Sequence, residues 1–148
     1  MPTLTDCLES DHRRLDAILG ETKSLVGAGK FPEAARRFSV FERGLSGHID
    51  AEEQLLFPAI EEHAPQAAGP VHVMRAEHAE LRQILVAIGK ALAASDAAWR
   101  AHVQALEDIL AAHNMKEERV LYPMANAVTE GDPGVDALRE KIAGHLGA

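Results

Sequence analysis

The stretch His48-Ile49-Asp50-Ala51-Glu52-Glu53, running on to Pro58, decides how this chain is read. It occurs a second time as His113-Asn114-Met115-Lys116-Glu117-Glu118, running on to Pro123 with the same spacing at each of those positions. Residues four apart on an α-helix stand about 400° apart, so the imidazole and the carboxylate come within about 40° of eclipsing. Each segment therefore offers a histidine and a glutamate from one helical face, one turn apart. A single cation or a pair of cations can touch both. The two segments make half of a metal site, and the rest of the chain has to complete and bury it.

The completing residues come from a longer repeat. Asp11-His12-Arg13-Arg14-Leu15 corresponds to Glu77-His78-Ala79-Glu80-Leu81 at an offset of 66, and the two His-to-Pro segments correspond at an offset of 65. Each half is thus a helix with a lone histidine, followed by a helix with His-x3-Glu. Two such hairpins related by a pseudo-twofold axis would gather His12, His48, His78 and His113 around Glu52 and Glu117. A duplicated hairpin kept for packing explains the leucines but not the histidines and glutamates. At 100° per residue every one of the six falls on the apolar stripe of its helix, beside Leu8, Leu15 and Leu19 for His12, and beside Met74, Leu81 and Leu85 for His78. On the same reckoning Leu55 flanks His48 and Val120 flanks His113. An unpaired carboxylate buried on such a stripe costs on the order of several kcal/mol. A pair of dications removes that cost.

The remainder of the chain supplies the frame. Its 148 residues suit a single domain spanning 1–148, long enough to bury a core without cross-links. Apolar residues make up 47% and aromatics only 4%, with Ala and Leu abundant, which favours an all-α fold. Helices are expected over about 3–26, 32–63, 70–93 and 96–128, in halves of about 3–63 and 70–128, with a short fifth helix over about 133–146. Pro58 and Pro123 fall inside the second and fourth and should kink each one or end its straight part. Short connections between long helices predict an up-down-up-down four-helix bundle, with the fifth helix across one end.

Charge and composition exclude several classes. The formal charge of −8 opposes a nucleic-acid surface or a polybasic membrane anchor. The single Cys7 allows neither an internal disulfide nor a thiolate zinc cluster. No stretch reaches the roughly 18 apolar residues of a membrane span, and the N-terminus shows no apolar leader, so a cytoplasmic location is expected. His63, His72, His102 and His145 have no counterparts in the repeat and read as surface or helix-end residues. Phe57 and Tyr122 occupy equivalent places beside the two prolines and read as core aromatics closing one end of the bundle, with a hydroxyl supporting the ligands as the alternative for Tyr122.

Four imidazoles and two carboxylates without thiolate suit first-row metals. A structural zinc site needs only four ligands and more often recruits cysteine. The combined pattern Asp-His-x2-Leu, His-x3-Glu-Glu-x4-Pro, Glu-His-x2-Leu, His-x3-Glu-Glu-x4-Pro resembles the haemerythrin-like (HHE cation-binding) domain family. The resemblance runs from His12 to Pro123. It implies a non-haem centre of two iron ions with an oxo or hydroxo bridge, ahead of manganese or zinc. It also implies His12, His48, His78 and His113 as terminal ligands and Glu52 and Glu117 as bridging ones. The oxygen-carrying members have a fifth histidine, four residues from the third-helix histidine; Met74 and Arg82 stand four residues either side of His78 here. In that respect the set is more similar to repair-of-iron-centres proteins. Expected functions are therefore binding or sensing of oxygen or nitric oxide, or holding iron. The alternatives are an enzyme acting on nitric oxide or peroxide, an iron donor for cluster repair, or a metal-free interaction bundle.

Overall fold

The computed structural model describes residues 2–147, and among them no strand occurs. Helix α1 spans Asp6–Gly27 and α2 spans Phe31–Ala51. A five-residue π-helical turn, Glu52–Leu56, leads directly into α3, Phe57–His63. A 3₁₀ turn precedes α4, Ala68–Ala93. Helix α5, Trp99–Lys116, passes through a second π turn, Glu117–Leu121, into α6, Tyr122–Thr129. The chain closes with α7, Val135–His145.

Local chemistry explains these boundaries. Helix α1 begins three residues after Thr3, because the Asp6 carboxylate reaches back to the Thr3 amide and hydroxyl, both at 2.7 Å. Asp96 accepts a hydrogen bond from the Ala98 amide in the turn before α5, and Asp132 accepts one from the Gly134 amide before α7. Both helices therefore start later than a cap at the aspartate would place them.

Each of the two prolines follows a widened turn. Pro58 and Pro123 lack the amide that would bond back to Gln54 and Arg119 in an α-helix. The chain widens by one residue just before each of them. Phe57 N–H donates to Glu52 O, and Tyr122 N–H to Glu117 O, bonds spanning five residues instead of four. The added residue rotates everything after it by about 100° relative to a plain α-helix. Leu56 and Leu121 accordingly turn fully inward, at 0% and 2% exposure, while Val120 is 55% exposed and Leu55 only half-buried. The expectation that Leu55 and Val120 lie on the ligand stripe is thereby corrected: it assumed an unbroken 100° step. Val73 of α4 is 47% exposed.

The buried side chains form two clusters. One gathers Leu15, Ile18 and Leu19 of α1, Phe38, Phe41 and Leu45 of α2, Leu81, Leu85 and Ile88 of α4, and Leu106 and Leu110 of α5. The other gathers Leu8, Leu56, Phe57, Ile60, Met74, Leu121, Tyr122 and Ile142. On each of the four long helical runs the histidine of the repeat falls at the change from one cluster to the other. The polar residues thus form a layer across the bundle, roofed and floored by hydrocarbon. Glycine permits close approach at two points. A Cβ on Gly44 would stand 2.7 Å from Leu15 Cδ2, and one on Gly47 would stand 2.8 Å from the His145 carbonyl oxygen, where α7 crosses α2.

Candidate metal centre

The polar layer contains all six side chains that the repeat singled out. His12, His48, Glu52 and Glu117 offer ligand atoms within 4.8 Å of one another, and so do Glu52, His78, His113 and Glu117. The two glutamates belong to both groups. Each of the six is at most 4% exposed, and both glutamates are at 0%. His63, His72, His102 and His145 lie outside both groups; His63 instead binds the Ala59 carbonyl and Asp132 near the surface.

Each of the four histidines is held from behind by a carboxylate. His48 Nδ1 donates to Asp11 Oδ2 at 2.9 Å, and His113 Nδ1 to Glu77 Oε1 at 2.8 Å. His78 Nδ1 donates to Glu53 Oε2 at 2.9 Å, and His12 Nδ1 to Glu118 Oε2 at 3.1 Å. The pseudo-twofold is visible in this scheme. Asp11 and Glu77 are the acidic residues just before the lone histidines, and each serves the other helix of its own half. Glu53 and Glu118 follow the buried glutamates, and each crosses to the opposite half. Arg14 binds Asp11 at 2.7 Å, and Lys116 binds Glu77, which fixes two of the four carboxylates in turn.

This arrangement sets the tautomers. With Nδ1 carrying the proton, every neutral ring turns the Nε2 lone pair inward. There the lone pairs meet other acceptors. His78 Nε2 stands 3.2 Å from His113 Nε2 and 3.1 Å from Glu52 Oε1. His12 Nε2 stands 3.1 Å from Glu117 Oε1. Glu52 Oε1 and Glu117 Oε2 are buried without a hydrogen-bond partner. Acceptors facing acceptors repel unless protons or cations lie between them. The donor set therefore fits a pair of metal ions: two imidazoles for each, and two carboxylates common to both.

The electrostatics agree. Burial works against a charge on His48, yet the Glu52 carboxylate and the Asp11 hydrogen bond outweigh it and raise the ring to about 10. His113 is raised to about 9 against its own burial, by Glu117 and Glu52 and the Glu77 bond. Glu52 is pulled well below the ordinary carboxylate range by His48 and by hydrogen bonds, despite complete burial. In the protein without metal, protons on the imidazoles thus take up part of the positive charge that the carboxylates demand.

The family follows from this site and its repeat. The Hemerythrin HHE cation binding domain model matches residues 3–125, nearly the whole chain. The chain belongs to the haemerythrin HHE family. As a haemerythrin-like protein it is similar to the iron-sulfur cluster repair protein YtfE of Cronobacter sakazakii, with 34% identity over 103 residues, covering 63% of this chain and 47% of that protein. The YtfE protein of Escherichia coli O1:K1 / APEC is 36% identical over 93 residues, covering 56% of this chain and 42% of its own length. A protein named DNA nickase from Nostoc sp. PCC 7120 is 25% identical over 119 residues, covering 80% of this chain and 32% of that protein. The haemerythrin-like chain thus spans about half the length, or less, of these curated relatives. No solved structure matches it significantly.

Sequence reasoning assigned no role to Asp11, Glu53, Glu77 and Glu118. Their signal was present, since each sits beside a proposed ligand in both copies of the repeat. It went unread because an adjacent residue points about 100° away on its own helix, and only packing shows that it meets a histidine of another. For Tyr122 the sequence offers a core aromatic first and a hydroxyl beside the ligands second. It is both: the residue is at 0% exposure, and its hydroxyl lies inside the site, donating to Glu52 Oε2 at 2.6 Å.

Proposed function

We propose that this chain holds two iron ions in the polar layer, within a bundle whose long helices alternate in direction. His12 and His48 would hold one ion and His78 and His113 the other, with Glu52 and Glu117 between them. The pair serves to bind or sense a small diatomic, oxygen or nitric oxide, or to hold iron. The observation that carries this reading is the convergence of imidazole nitrogens and partnerless carboxylate oxygens in a buried layer. Alternation of the helices is supported by the cores: α1 and α4 reach the first cluster with their C-terminal parts, α2 and α5 with their N-terminal parts. When bound, an iron pair supplies redox chemistry and coordination positions for small ligands.

The chain's own residues shape access to the pair. A hollow of about 620 Å³ between α1 and α5 is lined by His12 and Glu118 together with Asp16, Lys23 and Glu107. A second, of about 280 Å³, is lined by Met74, Leu121, Val73 and Val120 and is almost wholly apolar apart from Lys116. Met74 occupies the place where a fifth histidine would stand, so that side of the layer offers a thioether in place of an imidazole nitrogen. Among the described residues no helix is long and apolar enough to cross a membrane, and the net charge of −8 opposes a nucleic-acid partner.

The test is anaerobic loading with iron(II), followed by metal analysis. Two irons per chain are expected, and less than one per chain overturns the reading. A second reading is iron donation to damaged clusters, or turnover of nitric oxide or peroxide. It is favoured by the missing fifth nitrogen at Met74 and by the cluster-repair names of the relatives. Rapid mixing of the iron(II) protein with oxygen, nitric oxide and peroxide separates the two. A stable, reversible adduct supports binding; catalytic consumption or loss of iron supports the second reading.

A further inference from the structure

The two metal positions have the same ligand types, and the aromatic rings stacked on their lone histidines differ by a single oxygen. Tyr122 and Phe57 are equivalent by the repeat, each directly before its proline and each the first residue after a π turn. Each ring stacks on the lone histidine of a half: Tyr122 on His12, with centroids 5.7 Å apart, and Phe57 on His78, with centroids 5.6 Å apart. Both are buried at 0% exposure. One carries an oxygen and the other does not.

That oxygen sits among the ligand atoms of a single group. Tyr122 Oη is 2.6 Å from Glu52 Oε2 and 3.2 Å from Glu117 Oε1. It is 3.3 Å from His12 Nε2 and 3.4 Å from His48 Nε2. These four residues are one of the two candidate metal groups, and of the four histidines the hydroxyl's hydrogen-bond-range contacts are with His12 and His48. The oxygen thus lies within 3.4 Å of one candidate ligand atom from each of the four residues, two carboxylate oxygens and two imidazole nitrogens. An oxygen required only to brace Glu52 would need one partner. An oxygen placed among all four occupies a ligand position.

Resting on the reading of the site as an iron centre, we propose that Tyr122 Oη is a fifth protein ligand, to the metal held by His12 and His48. The metal held by His78 and His113 has no such ligand, because Phe57 stands in the equivalent place. The two ions are therefore inequivalent, and the position open to an exchangeable small molecule belongs to the His78 and His113 side. Coordination breaks the O–H bond of Tyr122, forms a metal–oxygen bond and releases one proton to solvent, with no change of oxidation state.

The chain contains one tyrosine, so a tyrosinate signature has a single source. The experiment loads full-length protein with iron(II) without oxygen, counts the metal, oxidises it to iron(III), and records visible absorption and resonance Raman spectra. Growth on ring-deuterated tyrosine marks the ring modes without any substitution. The expected result is a visible phenolate-to-iron charge-transfer band whose Raman modes shift with the isotope. In Tyr122→Phe the iron content should be retained and the band lost; the variant merely places in one half the ring that the other half already has. Two irons per chain with no isotope-sensitive modes overturns the tyrosine ligand and leaves the iron site standing. Less than one iron per chain in the wild type overturns both.

Discussion

The carboxylates behind the histidines provide the sharpest test of how the site works. Asp11 is 4% exposed and accepts from His48 Nδ1 at 2.9 Å, while Arg14 holds its other oxygen at 2.7 Å. Replacing it in Asp11→Asn keeps the shape but removes the charge that orients the ring and raises the basicity of Nε2. Partners of this kind contribute about 10–100-fold to metal affinity, or about 1.4–2.7 kcal/mol. Exposure then orders the four positions, because solvent screens the outer ones. Glu77 is 22% exposed, Glu53 27% and Glu118 37%, and the Glu118 bond is the longest at 3.1 Å. Asp11→Asn should lie near the upper end of the range, Glu77→Gln and Glu53→Gln between, and Glu118→Gln near the lower end. Asp11 also steadies the imidazolium of the metal-free protein, so its loss makes the proton easier to displace. The affinity defect should therefore widen between pH 7 and pH 9, as proton competition fades. The assay is competition for iron(II) against a chromophoric chelator, with the melting temperature of each metal-free variant alongside. An unchanged affinity in Asp11→Asn, or a larger loss in Glu118→Gln than in Asp11→Asn, would refute the reasoning.

Protons and metal should act on stability in opposite directions. His48 and His113 are raised from 6.5 to about 10 and about 9, so the metal-free protein draws stability from their protonation. That contribution is fully present below about 6.5 and is lost as pH rises through about 9 to 10. Melting of metal-free protein should thus weaken between pH 8 and 10, whereas metal-loaded protein, which needs neutral imidazoles, should lose its metal toward acid. Titration showing no release of protons on metal uptake at pH 7 would count against both. The seat of α7 is testable separately. In Gly47→Ala the new methyl meets the His145 carbonyl oxygen at 2.8 Å. Overpacking of this kind costs about 1–3 kcal/mol, and the relief should come from α7, speeding amide exchange over residues 135–145 without altering metal content. Unchanged exchange in α7 would show that the contact is not what seats it.

How much of this was legible in the sequence depends on the length scale of the signal. The gathering of the six histidine and glutamate side chains and the helical fold were readable, because His-x3-Glu is a local pattern and its duplication removes coincidence. The prolines were readable as interruptions. The form of the interruption was not, since a proline at Pro58 is compatible with a kink, a helix end or a π turn, and choosing among them needs the energy of burying Leu56 in place of Leu55. Leu55-Leu56 and Val120-Leu121 are each a pair of adjacent apolar residues, and only the widened turn decides which member faces inward. The carboxylates Asp11, Glu53, Glu77 and Glu118 were visible as repeated letters but not as partners, because their contacts join different helices.

The charges of the layer give a reason for its construction. Glu52 and Glu117 lie inside it, and Asp11, Glu53, Glu77 and Glu118 bind the four histidines from outside. Against these six negative charges stand Arg14 on Asp11 and Lys116 on Glu77. Six carboxylates against two cations leave a formal deficit of four positive charges. Two divalent ions carry that charge as long as Tyr122 keeps its proton, and protons on His48 and His113 carry part of it in the metal-free protein. The same side chains can thus be neutralised by metal, or in part by protons without it. A chain with the two glutamates but without the outer four carboxylates would need less positive charge and would attract only weakly either the second metal or the protons that stand in for it. The outer carboxylates, which touch no proposed metal, would on this argument govern how many metals the layer holds, while the inner six govern where they sit.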